Sequence, residues 1–93
     1  MNKFENVPVE EDTKIILRQE MSLGKYSVLY EYWSWDGIMA HSVIFVESDL
    51  GDCSDSEIED LIRATSLLKD KDSEITMKHV KGFVFVNFNF EIS

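Results

Sequence analysis

The sequence is poor in the residues that build covalently linked or metal-bound cores. Its 93 residues include one cysteine, Cys53, two histidines and one proline. A single cysteine excludes both an internal disulfide and a zinc site built from cysteines, because each needs more than one thiol. We therefore expect no metal ion and no cofactor. The absence of a disulfide also indicates a reducing compartment.

Basic residues are scarce as well. The chain has 9 Lys and Arg residues against 18 Asp and Glu residues, which gives a formal net charge of −9. A charge of this sign repels nucleic acid phosphates and anionic membrane surfaces. The composition therefore predicts no direct nucleic acid binding and no membrane binding. It leaves open whether the charge serves a basic protein partner or only solubility.

Long apolar runs are missing too. No stretch approaches the roughly 20 apolar residues of a membrane helix, and residues 1–8 lack the apolar core of a signal peptide. The composition is nonetheless 44% hydrophobic, and a chain of this length can bury most of its surface around one core. We expect a single-domain, cytoplasmic protein.

The strongest structural signal is in residues 25–47, where two runs of β-branched and aromatic residues meet at Asp36-Gly37. Asp-Gly suits a two-residue type I′ turn, which needs positive φ at both positions. Such a turn sets Trp35 opposite Ile38 and fixes the register of all later pairs. The more continuous apolar face is then expected to line the core: Tyr26, Val28, Tyr30, Tyr32, Met39, Val43 and Phe45.

Two further elements precede and follow this hairpin. Residues 14–21 alternate apolar and polar side chains, which predicts a strand, and residues 22–24 are expected to turn the chain into the hairpin. Further along, Ser54 and Glu57 have the spacing of a capping box, in which two side chains satisfy free amides at the start of a helix. An apolar stripe at helical spacing follows: Ile58, Leu61, Ile62, Thr65 and Leu68.

A second hairpin completes the predicted sheet. Residues 74–80 and 83–92 flank a Lys-Gly pair, and a two-residue turn there sets His79 opposite Val84. The element order is thus β-β-β-α-β-β. It predicts an α+β single domain, with an antiparallel sheet of about five strands and one amphipathic helix packed on one face. The strand that the second hairpin joins is left open.

The first part of the chain shows no periodicity. Residues 1–13 contain four acids and the proline, and we predict that they form a flexible or loosely packed N-terminal arm, with residues 14–93 as the domain. An alternative places Phe4, Val7 and Val9 across the outer, less continuous face of the first hairpin.

Few residues are candidates for chemistry. His41 and His79 lie in predicted strands and point to the assumed core face, where buried histidines are usually hydrogen-bonded. Cys53 has no nearby histidine that could serve as its base. Since no set of nucleophile, base and orienting group is assembled, we expect that the chain is not an enzyme.

The acidic run is the first candidate for function. Residues 47–60 are half acidic and contain no Lys or Arg. Their carboxylates are expected to form one negative surface that docks on a basic protein, with helix capping and solubility as the alternative. The predicted partner-binding residues there are Asp49, Asp52, Asp55, Glu59 and Asp60.

The tryptophans are the second candidate. Trp33 and Trp35 flank the hairpin tip on the less continuous face, where they are expected to anchor a protein partner or a second copy in a homodimer. The leading hypothesis is therefore a small acidic protein-binding module of the inhibitor or immunity type. The alternative is a homodimeric ligand-binding accessory domain, with a tyrosine-lined pocket between helix and sheet.

Overall fold

A computed structural model describes residues 3–65 and 74–89 of the chain. Within these ranges one antiparallel sheet has the strand order β1-β2-β3-β5-β4, so the second hairpin joins β3 and leaves β1 and β4 as edges. The predicted α+β fold is confirmed. The strands are β1 (Thr13–Leu23), β2 (Tyr26–Trp35), β3 (Ile38–Val46), β4 (Ile75–Val80) and β5 (Phe83–Asn89), and the helices are α1 (Glu47–Leu50) and α2 (Asp55–Arg63).

Both predicted hairpin turns are confirmed. Asp36 and Gly37 have φ of 49° and 79°, and the Lys-Gly pair of the second turn has φ of 50° and 87°. These left-handed values belong to the tight turn whose twist matches the flanking strands. The registers follow, because Trp35 pairs with Ile38 and His79 pairs with Val84.

The first strand is longer than predicted. Its last residue, Leu23, pairs with Tyr26 and is buried, so the chain turns at Gly24-Lys25 and not at residues 22–24. The prediction was wrong there because an apolar side chain that reaches the core extends the strand past Ser22.

The acidic run contains a short helix that the sequence pattern did not predict. Its first amide, that of Glu47, donates to the carbonyl oxygen of Gly82 at 2.9 Å. This bond ties the start of α1 to the turn between β4 and β5. At the other end of α1, Leu50 is buried in the core.

The capping box at the start of α2 is confirmed. The Ser54 hydroxyl accepts from the amide of Glu57 at 3.2 Å, and the Glu57 carboxylate accepts from the amide of Ser54 at 3.2 Å. The helix ends at Arg63, with Ala64 as its C-cap residue. Leu68, the last predicted position of the apolar stripe, lies outside the described residues. No helix in the described ranges is long and apolar enough to cross a membrane.

The main core lies between α2 and the sheet face that we predicted to carry it. Ile58 and Ile62 of the helix are at most 1% exposed and belong to one cluster with the inward side chains of four strands, β1, β2, β3 and β5. The fully buried members from the sheet are Val28, Val43, Phe45, Val84 and Val86.

The opposite, outer face of the sheet has its own small cluster. Phe4 and Val7 are 3% and 8% exposed and pack there with Leu29, Ile44 and Phe83. Phe4 and Val7 therefore lie across the outer face, as the alternative prediction for the N-terminal residues had it. Val9, which the same alternative placed there, is 51% exposed. The division of the chain into an arm and a domain at residue 13 stays a prediction.

Loss of the helix cap should weaken the fold by a modest amount. We expect Ser54→Ala to lower the free energy of unfolding by about 1 kcal/mol, because the Glu57 amide loses its acceptor. Ser56→Ala, at an exposed position in the same helical turn, is the control and should change little. Chemical denaturation measures both, and equal values for the two variants would contradict the role of the cap.

Loss of the Phe4 side chain should weaken the fold more strongly. We expect Phe4→Ala to lower the free energy of unfolding by about 3 kcal/mol, the usual cost of removing a buried aromatic ring. Val9→Ala removes an exposed side chain from the same segment and should be nearly neutral. If chemical denaturation gives no loss for Phe4→Ala, the outer cluster does not stabilise the protein.

Candidate functional site

The five predicted acids lie on the segment that leaves the sheet after β3. Asp49 is on α1, Asp52 follows it, and Asp55 is the first residue of α2, which also carries Glu59 and Asp60. We call these five residues the acidic surface. All are exposed to solvent except Glu59, which is half-buried.

Three of the five acids have a basic neighbour. The Asp49 carboxylate lies 2.6 Å from Nζ of Lys3, and that of Glu59 lies 3.6 Å from Nε of Arg63. Asp55 contacts a histidine, as described next. Such exposed ion pairs contribute only about 0 to 1 kcal/mol, so a partner's charges can replace them. Asp52 and Asp60 make no ion pair with any residue in the described ranges.

His79 was predicted to be buried, and this prediction was wrong. Its side chain is 48% exposed, because β4 is an edge strand of the sheet and has a neighbouring strand on one side only. Its Nε2 atom lies 3.1 Å from Oδ1 of Asp55, and its Nδ1 atom lies 3.5 Å from Oε2 of Glu47. The hydrogen bond to Asp55, aided by Glu47, raises the pKa of His79 above its ordinary value of 6.5. Both carboxylates that contact His79 thus belong to the acidic run of residues 47–60.

His41 agrees with its prediction. It is 7% exposed, and its Nδ1 atom is hydrogen-bonded to the Tyr30 hydroxyl. Its ring stacks on that of Phe88, with centroids 5.3 Å apart, and on that of Tyr32, with centroids 5.0 Å apart. Burial lowers the pKa of His41, so the ring is neutral at pH 7 and acts as part of the core.

Cys53 is half-buried, and its Sγ atom lies 3.8 Å from the Tyr26 hydroxyl. This contact is the main cause of the raised pKa of Tyr26. Across residues 3–65 and 74–89, no group of three His, Cys, Asp or Glu side chains is arranged to hold a metal ion.

The two tryptophans are in different surroundings. Trp33 is half-buried, and its indole Nε1 donates to the Ser42 hydroxyl at 2.8 Å. Trp35 is 47% exposed at the hairpin tip, beside Ile38 at 52%. Farther from the tip on the same face, Leu29 and Ile44 are covered by Phe4 and Val7 of the N-terminal segment. Partner binding through Trp33 and Trp35 stays a prediction. The homodimer stays a prediction.

A cleft of about 420 Å³ lies between the N-terminal segment and the outer face of the sheet. The tyrosine-lined pocket was predicted on the opposite face, where Tyr26 and Tyr30 instead pack against the core. The wall of the cleft is formed by Pro8, Val9, Glu10 and Thr13, and its floor includes Glu31, Trp33, Ser42, Phe85 and Asn87.

A row of polar residues crosses the floor of this cleft. Glu31 pairs with Ser42 across β2 and β3, and Ser42 pairs with Asn87 across β3 and β5. Glu31 and Ser42 are 4% and 2% exposed, and Arg18 forms an ion pair with the Glu31 carboxylate at 2.5 Å. We call Glu31, Ser42 and Asn87 the polar row. The sequence patterns placed Glu31 and Ser42 on this face, but they did not bring Asn87 beside them because the strand order was open.

Comparison with known proteins adds no functional information. No family model, no curated protein and no solved structure matches this chain.

The ion pairs of His79 should show in its titration. We expect a pKa above 6.5 for His79 by proton NMR, and a value closer to 6.5 in Asp55→Asn. Glu59→Gln, which removes a carboxylate that pairs with Arg63, is the control and should leave the titration unchanged.

The same pairs should affect stability with a definite sign. Because the pKa of His79 is higher in the folded state than the ordinary value of 6.5, its ion pairs stabilise the folded protein fully below pH 6.5. This stability is lost as the pH rises through the folded-state pKa of His79. His79→Gln should therefore be destabilising in acid and nearly neutral above that pKa. If the stability lost in His79→Gln instead grows with pH, the ion pairs of His79 are not its cause.

Proposed function

We propose that this chain is a small acidic protein-binding module, without catalytic activity of its own, that docks on a basic surface of another protein. The observation that carries the proposal is the clustering of four exposed carboxylates and the half-buried Glu59 on one segment that the core holds in place. By analogy of type, its proposed role is that of a cytoplasmic inhibitor or immunity protein that covers a partner's basic surface.

Rigidity supports a binding role for the acidic surface. Leu50 anchors α1, and Ile58 and Ile62 anchor α2, through side chains that are at most 8% exposed. The capping box fixes the start of α2 between Asp52 and Asp55. Because the backbone that carries the acids is ordered before binding, docking loses less conformational entropy than it would for a flexible acidic tail.

Charge supports the same role. Asp52 and Asp60 lack ion pairs within the described part of the chain, and the pairs made by Asp49 and Glu59 are exposed and therefore weak. Complementary charge speeds association and selects partners, so a basic protein surface is the favoured target.

The tip tryptophan belongs to a separate surface. β3 runs from Ile38, beside Trp35, to Val46, where α1 begins. Nine strand residues span about 26 Å, so the acidic surface and Trp35 lie at opposite ends of the sheet. We assign the partner interface to the acidic surface, and we leave Trp35 outside it.

Neutralising three residues of the acidic surface should abolish selective capture of a partner protein. The immobilised protein is used to capture proteins from a cell extract, and a retained protein is then purified and titrated directly. We expect the triple variant D49N/D52N/D55N to bind it about tenfold or more weakly and with less dependence on salt, since exposed charges contribute about 0.2 to 1 kcal/mol each.

The matched control removes the same charge at the other end. E11Q/D12N/D36N changes three exposed acids near the hairpin tip, and asparagine keeps the tolerance for positive φ that position 36 needs. The control should bind like the unmodified protein. If both triple variants weaken binding equally, or neither does, the acidic surface is not the docking site.

A further inference from the structure

The hydrogen bonds of the polar row fix which atoms face the cleft. An indole N–H can only donate, so the Ser42 hydroxyl oxygen accepts from Trp33. The Ser42 hydroxyl then donates its own hydrogen to Oδ1 of Asn87, at 2.5 Å. This leaves the Asn87 Nδ2 group as a donor, and it has no acceptor among the described residues.

Glu31 offers the complementary group. Its side chain is 5% exposed, and the Nε and Nη2 atoms of Arg18 both bond to Oε2, at 2.7 Å and 2.5 Å. The second oxygen, Oε1, accepts no hydrogen bond from residues 3–65 or 74–89. Oε1 is not among the fully buried atoms that lack a partner, so it is accessible, and the floor of the cleft presents one acceptor as well as one donor.

Arg18 also sets the charge that a ligand needs. Its guanidinium group neutralises the charge of the Glu31 carboxylate. A ligand can therefore satisfy Oε1 with an uncharged N–H donor and needs no positive charge of its own. At the rim, Lys78 is balanced by Glu10, with 2.6 Å between Nζ and Oε1. Lys81 also lines the cleft but is exposed to solvent, where water and salt screen its charge. The buried floor of the cleft therefore suits an uncharged molecule.

Apolar side chains flank the polar row on both sides. Trp33 lies two residues after Glu31 on β2, and Phe85 lies two residues before Asn87 on β5. Because β2 and β5 run in the same direction on either side of β3, these two rings lie on opposite sides of the row. They provide apolar surfaces for a ring placed over Ser42.

The size and spacing of the cleft define the ligand further. Its volume of about 420 Å³ is within the usual range of about 300 to 1,000 Å³ for ligand sites. Glu31 and Asn87 are two strands apart, or about 10 Å between their Cα atoms. The donor and the acceptor of the ligand therefore belong at opposite ends of a ring.

The geometry points to a binding site for a small uncharged aromatic amine that donates an N–H bond to Glu31 and accepts one from Asn87. Its ring lies between Trp33 and Phe85, under the N-terminal segment. The site is on the opposite sheet face from α2 and does not depend on the acidic surface.

Three small probes test the site in the unmodified protein. 4-Aminoacetophenone has an amine at one end of a ring and a carbonyl at the other, acetophenone lacks the amine, and 4-ethylaniline lacks the carbonyl. Binding is followed by NMR through the Trp33 indole N–H and the Asn87 side-chain amide signals. We expect a Kd of about 1 mM for 4-aminoacetophenone, the affinity that a ligand of this small size can reach, and at least fivefold weaker binding of the other two probes.

Two variants and two matched controls test the residues. Glu31→Gln and Asn87→Asp should each weaken the binding of 4-aminoacetophenone at least fivefold. Glu20→Gln and Asn6→Asp make the same chemical changes at exposed positions and should leave its binding unchanged. Thermal unfolding shows which variants fold. If Glu31→Gln unfolds because Arg18 loses its partner, Asn87→Asp and the three probes still test the proposed site.

The outcomes separate clearly. Selective binding of 4-aminoacetophenone that is lost in Asn87→Asp supports the site. No shift of the Trp33 indole signal up to the solubility limit, equal binding of all three probes, or unchanged binding in Asn87→Asp would overturn it.

Discussion

The burial of β3 on both faces is the constraint on which the rest of the structure depends. β3 is the middle strand of five, and residues 40–45 are all buried. Since side chains alternate along a strand, Phe45 needs cover on one face and Ile44 on the other. The helices supply the first cover and the N-terminal segment supplies the second. Each cover makes a different surface: the helical one carries the acids, and the N-terminal one encloses the cleft.

Features decided by neighbouring residues were predictable from the sequence. The Asp36-Gly37 turn needs residues that tolerate positive φ, and once the turn is placed it determines every pair along both strands. The capping box at Ser54 is equally local, because the atoms that bond are three residues apart. The core face followed from these registers, since alternation leaves only one continuous apolar face on the first hairpin.

Features decided by the strand order were not predictable. His79 was placed on the correct face but with the wrong burial, because only the observed order makes β4 an edge. Asn87 joins Ser42 through a pairing of β5 with β3, between residues that are 45 positions apart, and no local pattern encodes such a contact. The short helix α1 was not predicted for the same reason, since the amide at its start, that of Glu47, donates to the distant Gly82 carbonyl. The acidic surface could be found from composition, whereas the cleft could not.

The irregularity in β1 has a consequence for the behaviour of the protein at high concentration. This edge strand exposes Ile16 and Leu17 at 47% and 48%, and its pairing with β2 shifts register between Ile15 and Leu17. A bulge of this kind interrupts the regular row of main-chain donors and acceptors that another molecule's strand would need in order to extend the sheet. Mutual repulsion between copies with a net charge of −9 acts in the same direction. The bulge and the net charge thereby protect an apolar edge strand that would otherwise nucleate aggregation, although its side chains stay exposed.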